Sequence, residues 1–191
     1  MSQTLGRREG TCFLSTYKAT LMNETAVGMA LVRIAHEIVE KNRGCENLCL
    51  VGIKRRGIPL AETIAKNIET ITGTEPLTGA VDVTFYRDDL TKVSENPCVE
   101  GTAIDFDING KIVVLVDDVL FTGRTARAAM EAIMQRGRPS RIQLVVLIDR
   151  GHRELPIRGD FVGKNVPTAR AERIEVKIPP YDDRVAVELY G

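Results

Sequence analysis

Two adjacent carboxylates, Asp117 and Asp118, are the residues whose type and setting point most directly to chemistry. They follow an apolar, β-branched run at residues 112–116 and precede a short loop and an Ala-rich helical stretch. The loop residues that would surround a bound anion are Thr122, Gly123, Arg124 and Thr125. Loop N–H groups and a helix N-terminus suit a dianionic phosphate, while carboxylates suit ribose hydroxyls, Mg²⁺ or both. The pattern predicts a sugar-phosphate site; for the acid pair alone, a helix-capping acid beside a solvated one is the alternative.

A second group of charged residues follows another apolar run, at residues 48–53. Three consecutive cations end in a glycine, and the residues concerned are Lys54, Arg55, Arg56 and Gly57. Glycines on both sides of the cations permit unusual backbone angles. At the C-terminal end of a strand this composition favours a loop that binds pyrophosphate, and a surface turn is the alternative.

A polar stretch at residues 87–101 has no apolar periodicity and begins with Arg87, Asp88 and Asp89. Irregular segments longer than about 12–15 residues are usually functional lids or disordered. A lid suits a reaction centre that must be shielded from water. An exposed charged loop is the alternative, especially for the two aspartates.

The elements that must position these residues alternate between strands and helices. Helices are predicted over residues 24–41, 57–71 and 124–135, and strands over residues 48–53, 80–86, 112–116, 142–148, 174–178 and 185–189. An Asn109-Gly110 turn predicts that residues 103–106 pair as a hairpin with the strand at residues 112–116, which precedes the two carboxylates. The alternation favours an α/β fold with a parallel sheet covered on both faces, and ligands of such sheets lie beyond the C-terminal strand ends. Residues 1–20 lack periodicity and are interpreted as an arm, and residues 21–191 as a single domain.

The composition is that of a globular chain, with 26 basic and 26 acidic residues. The charge is uneven, since residues 136–173 hold nine Lys or Arg against four Asp or Glu. Such a region predicts a surface for a polyanion, with a solvated surface of paired charges as the alternative. The sequence has no apolar run of membrane-spanning length and no apolar segment behind Arg7 and Arg8. Its cysteines are scattered, so we expect reduced thiols in a cytoplasmic protein.

Three segments together resemble one family: YRDDL at residues 86–90, VVLVDDVLFTGRT at 113–125 and DRGHRELPIRGDFVGKNVPT at 149–168. They are similar to the PyrR family of bacterial pyrimidine-operon attenuation proteins, which are type I phosphoribosyltransferases. The resemblance implies a mostly parallel sheet flanked by helices, with a small hood at about residues 150–172. It also implies uracil phosphoribosyltransferase activity and uridine-nucleotide-dependent binding to a pyr mRNA leader stem-loop. The expected ligands are phosphoribosyl pyrophosphate (PRPP), uracil, UMP or UTP and this RNA. The expected assembly is a homodimer or a tetramer, and no association with a membrane is expected.

The resemblance also assigns roles to the residues above. Asp117, Asp118 and Arg87 would be catalytic, and the two carboxylates would meet Mg²⁺ that arrives with PRPP. Thr122, Gly123, Arg124 and Thr125 would hold the phosphate of PRPP or UMP. The pyrophosphate loop would be Lys54, Arg55, Arg56 and Gly57, and Asp88 and Asp89 would belong to the flexible loop. In the family a Thr often stands at position 55, so Arg55 is a departure.

For the base, the hood lacks the aromatic residue that purine-specific relatives carry shortly after the position of Pro167. A pyrimidine held near Asp160, Phe161 and Val162 is therefore expected. The resemblance assigns RNA binding to two helix residues and to hood or neighbouring cations, namely Arg33, His36, Arg138, Arg141, His152, Arg153 and Arg158. Val32 stands where the family commonly has Thr. The alternative function is a salvage phosphoribosyltransferase without an RNA-regulatory role.

Overall fold

The computed structural model describes residues 16–83 and 103–191. Within these ranges the helices are α1 (Glu24–Asn42), α2 (Gly57–Thr72) and α3 (Arg124–Arg136). The strands are β1 (Tyr17–Met22), β2 (Leu48–Ile53), β3 (Leu77–Val81), β4 (Ile112–Leu120), β5 (Arg141–Asp149), β6 (Phe161–Asn165), β7 (Arg173–Lys177) and β8 (Ala186–Tyr190). One sheet has five strands in the order β3-β2-β4-β5-β6, all parallel, and the other has three antiparallel strands in the order β1-β8-β7. The predicted fold of a parallel sheet flanked by helices is confirmed.

The five-stranded sheet is apolar on both faces because helices cover both. All six residues of β2 are buried, as are the first residues of β4 after Ile112. One core forms where α1 and α2 cover a face of the sheet, with the smaller sheet contributing Val176 and Val187. The other core forms under α3, from residues such as Ala129 and Ile133. Continuous apolar strands are the pattern that parallel sheets covered on both faces require.

Helix α1 begins where the sequence predicts. The side chain of Asn23 accepts a hydrogen bond from the backbone N–H of Ala26 at 2.9 Å, which is the geometry of an N-cap. The helix buries one stripe and ends at Arg43, whose φ of 57° lies in the left-handed region. No helix within residues 16–83 and 103–191 has the length and apolar character that crossing a membrane requires.

Two predicted strand features are wrong in detail. The third strand covers Leu77–Val81 and so begins before residue 80 and ends before residue 82, while the predicted strand residues 84–86 lie outside the described residues. Ala103 does not form a hairpin with β4; it bridges antiparallel to Ala80, with N–O distances of 2.8 and 2.9 Å. The Asn109-Gly110 turn is present, with φ of 71° at Gly110. The hairpin cannot form because β2 and β5 already occupy both edges of β4.

Two strands have no counterpart in the predicted elements. Residues 17–20, assigned to the arm, belong to β1, which pairs with the last strand of the chain. Strand β6 pairs with β5 across the hood segment. Both pairings join residues far apart in sequence or separated by irregular chain, so local periodicity carries little signal for them.

Candidate active site

Asp117 and Asp118 lie within β4 and not after it. Since successive side chains of a strand point to opposite faces, Asp117 and Asp118 divide between the two sides of the sheet. Asp117 lines a cavity of about 300 Å³ on the α3 side. Asp118 lies on the other side, where its charge interacts with that of Arg56. The two carboxylates therefore lie at one strand end, between the cavity on the α3 side and the loop that carries Arg56.

The cavity beside Asp117 is built around the start of α3. Its lining includes Phe121, Thr122, Gly123, Arg124, Thr125 and Glu154. Gly123 has a φ of 93°, a conformation that disfavours residues with a β-carbon. The N-cap residue Gly123 offers no side-chain cap, the Arg124 N–H has only a long contact of 3.4 Å with Thr122 Oγ1, and the first turn carries no acidic residue. The first backbone N–H groups of α3 thus remain suited to an anion, and the predicted phosphate-binding residues are brought together here.

The hood holds this loop in place through backbone contacts. The N–H groups of Glu154 and Leu155 donate to the carbonyl oxygen of Thr122 at 3.0 and 3.1 Å. The carboxylate of Glu154 accepts from Arg124 Nε at 2.9 Å and lies 3.6 Å from Arg170 Nη2. A carboxylate at the rim of an anion site is therefore balanced by two guanidinium groups.

Arg153 fixes the hood to the end of β4. Its guanidinium donates to the carbonyl oxygens of Phe121 at 2.7 Å, Ile157 at 2.9 Å and Gly151 at 3.1 Å, and it pairs with the carboxylate of Asp149. These bonds occupy most of its donors. Arg153 therefore fastens the loop beside the phosphate cavity, and its predicted RNA contact stays a prediction.

Arg150 is a buried cation beside the cavity that the sequence analysis did not assign to the site. Its guanidinium carbon lies 4.1 Å from the ring centroid of Phe121, a cation–π geometry. It also donates to Thr168 Oγ1 at 3.1 Å and to the carbonyl of Glu172 at 2.7 Å. Although it is charged, Arg150 is only 6% exposed. It thereby fastens residues 168–172 beside the cavity, and its position directly after β5 was the available signal.

The predicted pyrophosphate loop contacts β4 immediately before the carboxylates. A β-carbon on Gly57 would overlap the carbonyl oxygen of Val116. A β-carbon on Gly52 would lie 2.5 Å from the Cα of Ile58. Both glycines are therefore required by close approach of backbones, and the loop that carries the cations sits directly against the signature strand.

The three cations of this loop differ in their partners. Lys54 Nζ lies 3.4 Å from Asp82 Oδ2. Arg56 donates from Nε and Nη2 to the two carboxylate oxygens of Asp182, at 3.1 and 3.2 Å. The side chain of Arg55, the departure from the family pattern, is exposed and has no hydrogen bond or ion pair within the described part of the chain, while its carbonyl oxygen accepts from the Ile58 N–H at 3.3 Å. Asp182, in the turn between β7 and β8, was not predicted as part of the site.

Burial raises the pKa of the Asp118 carboxyl, and the hydrogen bond donated by the Val119 N–H, the side-chain hydrogen bond shared with Asp117 and the charge of Arg56 oppose the rise. A buried carboxylate of this kind gains from a nearby cation. Mg²⁺ suits the pair, because it binds through one or two carboxylates plus water and substrate phosphates. Among the described residues there is no cluster of three or more His, Cys, Asp or Glu side chains that could hold a metal ion.

The residues predicted to contact uracil do not line this cavity. Asp160 pairs with Lys41 of α1 at 2.7 Å and accepts from the backbone N–H of Leu144 at 3.0 Å. Phe161 is buried in the core, with Lys41 Nζ 5.0 Å from its ring centroid. Val162 pairs with Val146, two strands away from Asp117. The structure therefore does not bring these three residues together with the phosphate cavity, because the segment forms the start of β6.

Arg33 is placed against β6 and not freely in solvent. Its Nη2 donates to the carbonyl oxygens of Val162 at 3.0 Å and Gly163 at 2.7 Å, and its Nη1 pairs with Glu37. His36 is exposed and lies on the side of α1 away from the core. Val32, also exposed, is beside it on the same side of the helix. Arg33 thus has a structural role whatever else it binds.

The other predicted RNA-binding residues lie on the opposite side of the sheet or in the hood. Exposed Arg138 and Arg141 border one groove, and Arg158 borders a neighbouring groove that shares Ile142 with the first. His152 Nε2 lies 2.6 Å from the carbonyl oxygen of Thr168, and its ring meets Phe121 edge to face. These residues and α1 are therefore separated by the edge strand β6. The predicted flexible-loop residues Arg87, Asp88 and Asp89 lie outside the described residues.

Comparisons with known proteins agree with this architecture. The phosphoribosyl transferase domain family matches residues 19–178. A bifunctional protein PyrR from Caldicellulosiruptor bescii is 62% identical over 170 residues, which cover 88% of this chain and 93% of that protein. The protein of the same name from Thermus thermophilus is 59% identical, over 91% of this chain and 96% of its own length.

Solved structures give the same fold. A hypoxanthine phosphoribosyltransferase from Trypanosoma cruzi superposes with a TM-score of 0.73 at 18% identity, covering 92% of this chain and 96% of its own. The corresponding enzyme from Staphylococcus aureus gives a TM-score of 0.68 at 20% identity, covering 92% of this chain and 93% of its own. At these identities the structures support the fold alone. By the extent of the sequence matches, the chain belongs to the phosphoribosyltransferase family and, within it, to the PyrR proteins.

Proposed function

We propose that this protein is a bifunctional pyrimidine regulator that also catalyses transfer of the ribosyl phosphate of PRPP to uracil, giving UMP and pyrophosphate. The observation that carries the catalytic half is the division of Asp117 and Asp118 between two anion subsites. One is the phosphate cavity at α3, and the other is the cationic loop that contains Arg56. A ribose bound between them would present its hydroxyls to both carboxylates.

In this reaction the protein's contribution is electrostatic and positional. Thr122, Gly123, Arg124 and Thr125 would hold the 5′-phosphate, and Asp117 and Asp118 would orient the ribose and stabilise its developing positive charge. Lys54, Arg55, Arg56 and Gly57 would hold the departing pyrophosphate. Mg²⁺ would supply charge neutralisation to the pyrophosphate when bound with PRPP. Arg87, with Asp88 and Asp89, would close over the substrate and exclude water.

The base is proposed to lie towards the part of the hood that Arg150 fastens. Thr168 and Ala169 accept hydrogen bonds from Arg150 next to Phe121, and Phe121 lines the cavity. This location replaces the one at Asp160, Phe161 and Val162. A small pyrimidine fits a segment that offers backbone groups and no aromatic platform.

The regulatory half is UMP- or UTP-dependent binding to a pyr mRNA leader stem-loop, which favours transcription termination. Its support is the 62% identity to a bifunctional PyrR protein together with exposed cations outside the nucleotide cavity. His36 and Arg33 on one side of β6, and Arg138, Arg141 and Arg158 on the other, would contact phosphates and unpaired bases. His152, which touches Phe121, lies where nucleotide and RNA surfaces approach each other. A homodimer or tetramer in the cytoplasm would bring both surfaces to one RNA.

The catalytic half is tested by UMP formation from uracil and PRPP with the wild type and with Asp117→Asn and Asp118→Asn. We expect each variant to lose at least about a hundredfold in kcat, on the scale of removing an electrostatic catalytic group. Glu131→Gln, which removes a charge from the middle of α3 outside the lining of the phosphate cavity, is the control and should keep full activity. Full activity in Asp118→Asn would contradict the assignment.

The alternative, a salvage enzyme without an RNA role, predicts turnover but no nucleotide-dependent RNA binding. A titration with the leader RNA of the chain's own operon separates the two functions. RNA affinity that does not change with UMP would favour the salvage enzyme.

A further inference from the structure

We propose that Asp182 is the positioning residue of the pyrophosphate loop, which holds the Arg56 guanidinium in the direction that pyrophosphate requires. The inference deepens the proposed function, because it rests on the loop at residues 54–57 binding pyrophosphate. It assigns a role to the turn between β7 and β8, which belongs to the smaller sheet and contributes no residue to the phosphate cavity.

The contact is a two-bond fork between planar groups. Arg56 Nε meets Asp182 Oδ2 at 3.1 Å, and Arg56 Nη2 meets Asp182 Oδ1 at 3.2 Å. Paired parallel bonds of this kind fix orientation as well as distance. The carboxylate is itself fixed, since Asp182 Oδ2 also accepts from the backbone N–H of Ile178 at 3.0 Å. The Asp182 side chain is 17% exposed, so solvent competes weakly for it.

Arg56 interacts with two carboxylates, with Asp182 through hydrogen bonds and with Asp118 through charge. The hydrogen bond with Asp182 is the main reason that the pKa of Arg56 is raised, and the charge of Asp118 adds to it. The same fork lowers the pKa of Asp182, so its partner charge is present at neutral pH. Without Asp182, the guanidinium would be free to turn towards Asp118, whose charge the ribose and its cation need. Asp182 thus keeps Arg56 out of the ribose subsite.

The other cations of the loop lack an equivalent constraint. The Lys54 ammonium group has one ion pair within the described residues, at 3.4 Å from Asp82, and the exposed Arg55 side chain has no hydrogen bond or ion pair there. The backbone of the loop is fixed by the close approach of Gly57 to Val116. Asp182 extends this fixation to a side chain. Arginine has five N–H donors, so the fork leaves donors of Arg56 for a phosphate oxygen.

The direction in which Asp182→Asn changes the KM for PRPP distinguishes a positioning role of Asp182 from simple competition with pyrophosphate. If Asp182 only competes with pyrophosphate for Arg56, then Asp182→Asn lowers the KM for PRPP. If Asp182 positions Arg56, the same variant raises the KM for PRPP and the Kd for inorganic pyrophosphate, each by about tenfold, the size of one lost charge-assisted contact. The KM for uracil stays within about twofold in the positioning case, because the base site does not use Arg56.

The experiment is a calorimetric titration of inorganic pyrophosphate, with Mg²⁺, into wild type, Asp182→Asn and the neighbouring control Asp183→Asn, combined with steady-state KM values. The control loses the same charge one residue away and should behave as wild type. UMP affinity reports an intact fold and should be equal in all three. In an Arg56→Gln background, Asp182→Asn should add no further loss, which a merely structural role of the turn would not produce.

A tenfold weaker pyrophosphate Kd with unchanged UMP affinity supports the proposal, and an unchanged or tighter Kd overturns it. If Asp182→Asn fails to bind UMP, Asp182→Glu, which keeps the charge and lengthens the side chain, takes its place. With wild-type UMP affinity it should bind pyrophosphate more weakly than wild type, and a wild-type pyrophosphate Kd would count against the fork. If the wild type forms no UMP but pyrophosphate binding still depends on Asp182, the proposed enzyme activity fails while the positioning role stands.

Discussion

The backbone at Gly57 packs so closely against the carbonyl oxygen of Val116 that a β-carbon would overlap that oxygen. Val116 is followed by Asp117 and Asp118, and Gly57 follows the cations of the pyrophosphate loop. The distance between the two groups of charged residues is therefore set by a backbone contact and not by flexible side chains. A site that must hold a sugar between carboxylates and cations gains pre-organisation from this arrangement.

Gly57→Ala should push the pyrophosphate loop away from β4. Overpacking of this kind costs about 1–3 kcal/mol in the free energy of unfolding, and the KM for PRPP should rise more than the KM for uracil. Chemical denaturation and steady-state kinetics measure the two effects. Gly28→Ala is the control, because a β-carbon there meets nothing within 4 Å and should stabilise α1 by about 0.5–1 kcal/mol. Wild-type kinetics in Gly57→Ala would show that the contact between Gly57 and Val116 does not determine the geometry of the PRPP site.

Asp118→Asn should gain stability while it loses activity. Burial raises the pKa of Asp118 in the folded state, so the ionised form costs folding free energy at any pH above the ordinary carboxyl value. The Asn variant has no such cost. Its advantage in Tm should therefore be largest near neutral pH and should vanish as the pH falls below about 4. Thermal unfolding at several pH values measures this, and a variant that is less stable than wild type at pH 7 would contradict the burial argument.

Arg33→Ala should lower stability as well as any RNA affinity. It removes charge-assisted hydrogen bonds to the carbonyls of Val162 and Gly163, at a cost of about 1–2 kcal/mol. His36→Ala changes an exposed side chain on the same helix and should leave stability within about 0.5 kcal/mol. Denaturation curves and RNA titrations of both variants separate the roles. If both variants keep wild-type stability, Arg33 does not anchor α1 to β6.

Glu188 should control the acid stability of the smaller sheet. Hydrogen bonds from Tyr190, Arg184 and Lys177 lower its pKa from 4.5 to about 2. A depressed pKa stabilises the fold above the ordinary value and loses that contribution as the pH falls towards about 2. The stability difference between wild type and Glu188→Gln should therefore be full at pH 6 and should shrink between pH 4.5 and 2. A difference that does not vary over this range would contradict the ion-pair network.

The sequence predicts the parallel sheet, the three helices and the phosphate loop because their signals are local. Apolar runs, the Asn23 cap and the glycine before α3 each act within a few residues. Strands β1 and β6 were missed because their partners lie elsewhere in the chain. Asp182 and Arg150 were missed for the same reason, since contacts with Arg56 and Phe121 arise only when the two sheets and the hood come together. The sequence also did not show that Asp160, Phe161 and Val162 lie at the start of β6, away from the phosphate cavity, because that strand pairs only with distant β5.

The residues predicted to bind RNA are the most widely separated of the predicted groups, both in the sequence and in the structure. Arg33 and His36 lie on one side of β6, and Arg138, Arg141 and Arg158 on the other. Charge counting over residues 136–173 found the cations but could not show which are committed internally, as Arg153 is to Phe121 and Ile157.

The central claim is that the cavity beside Asp117 is both an active site and the sensor that controls RNA binding. A filter-binding titration of the protein with its own operon's leader RNA, with and without UMP, tests it most directly. The account predicts that saturating UMP tightens the Kd for RNA at least tenfold, and that Thr122→Val, which removes a hydroxyl from the phosphate loop, shifts this response to higher UMP concentration. An RNA affinity that is the same with and without UMP would contradict the account.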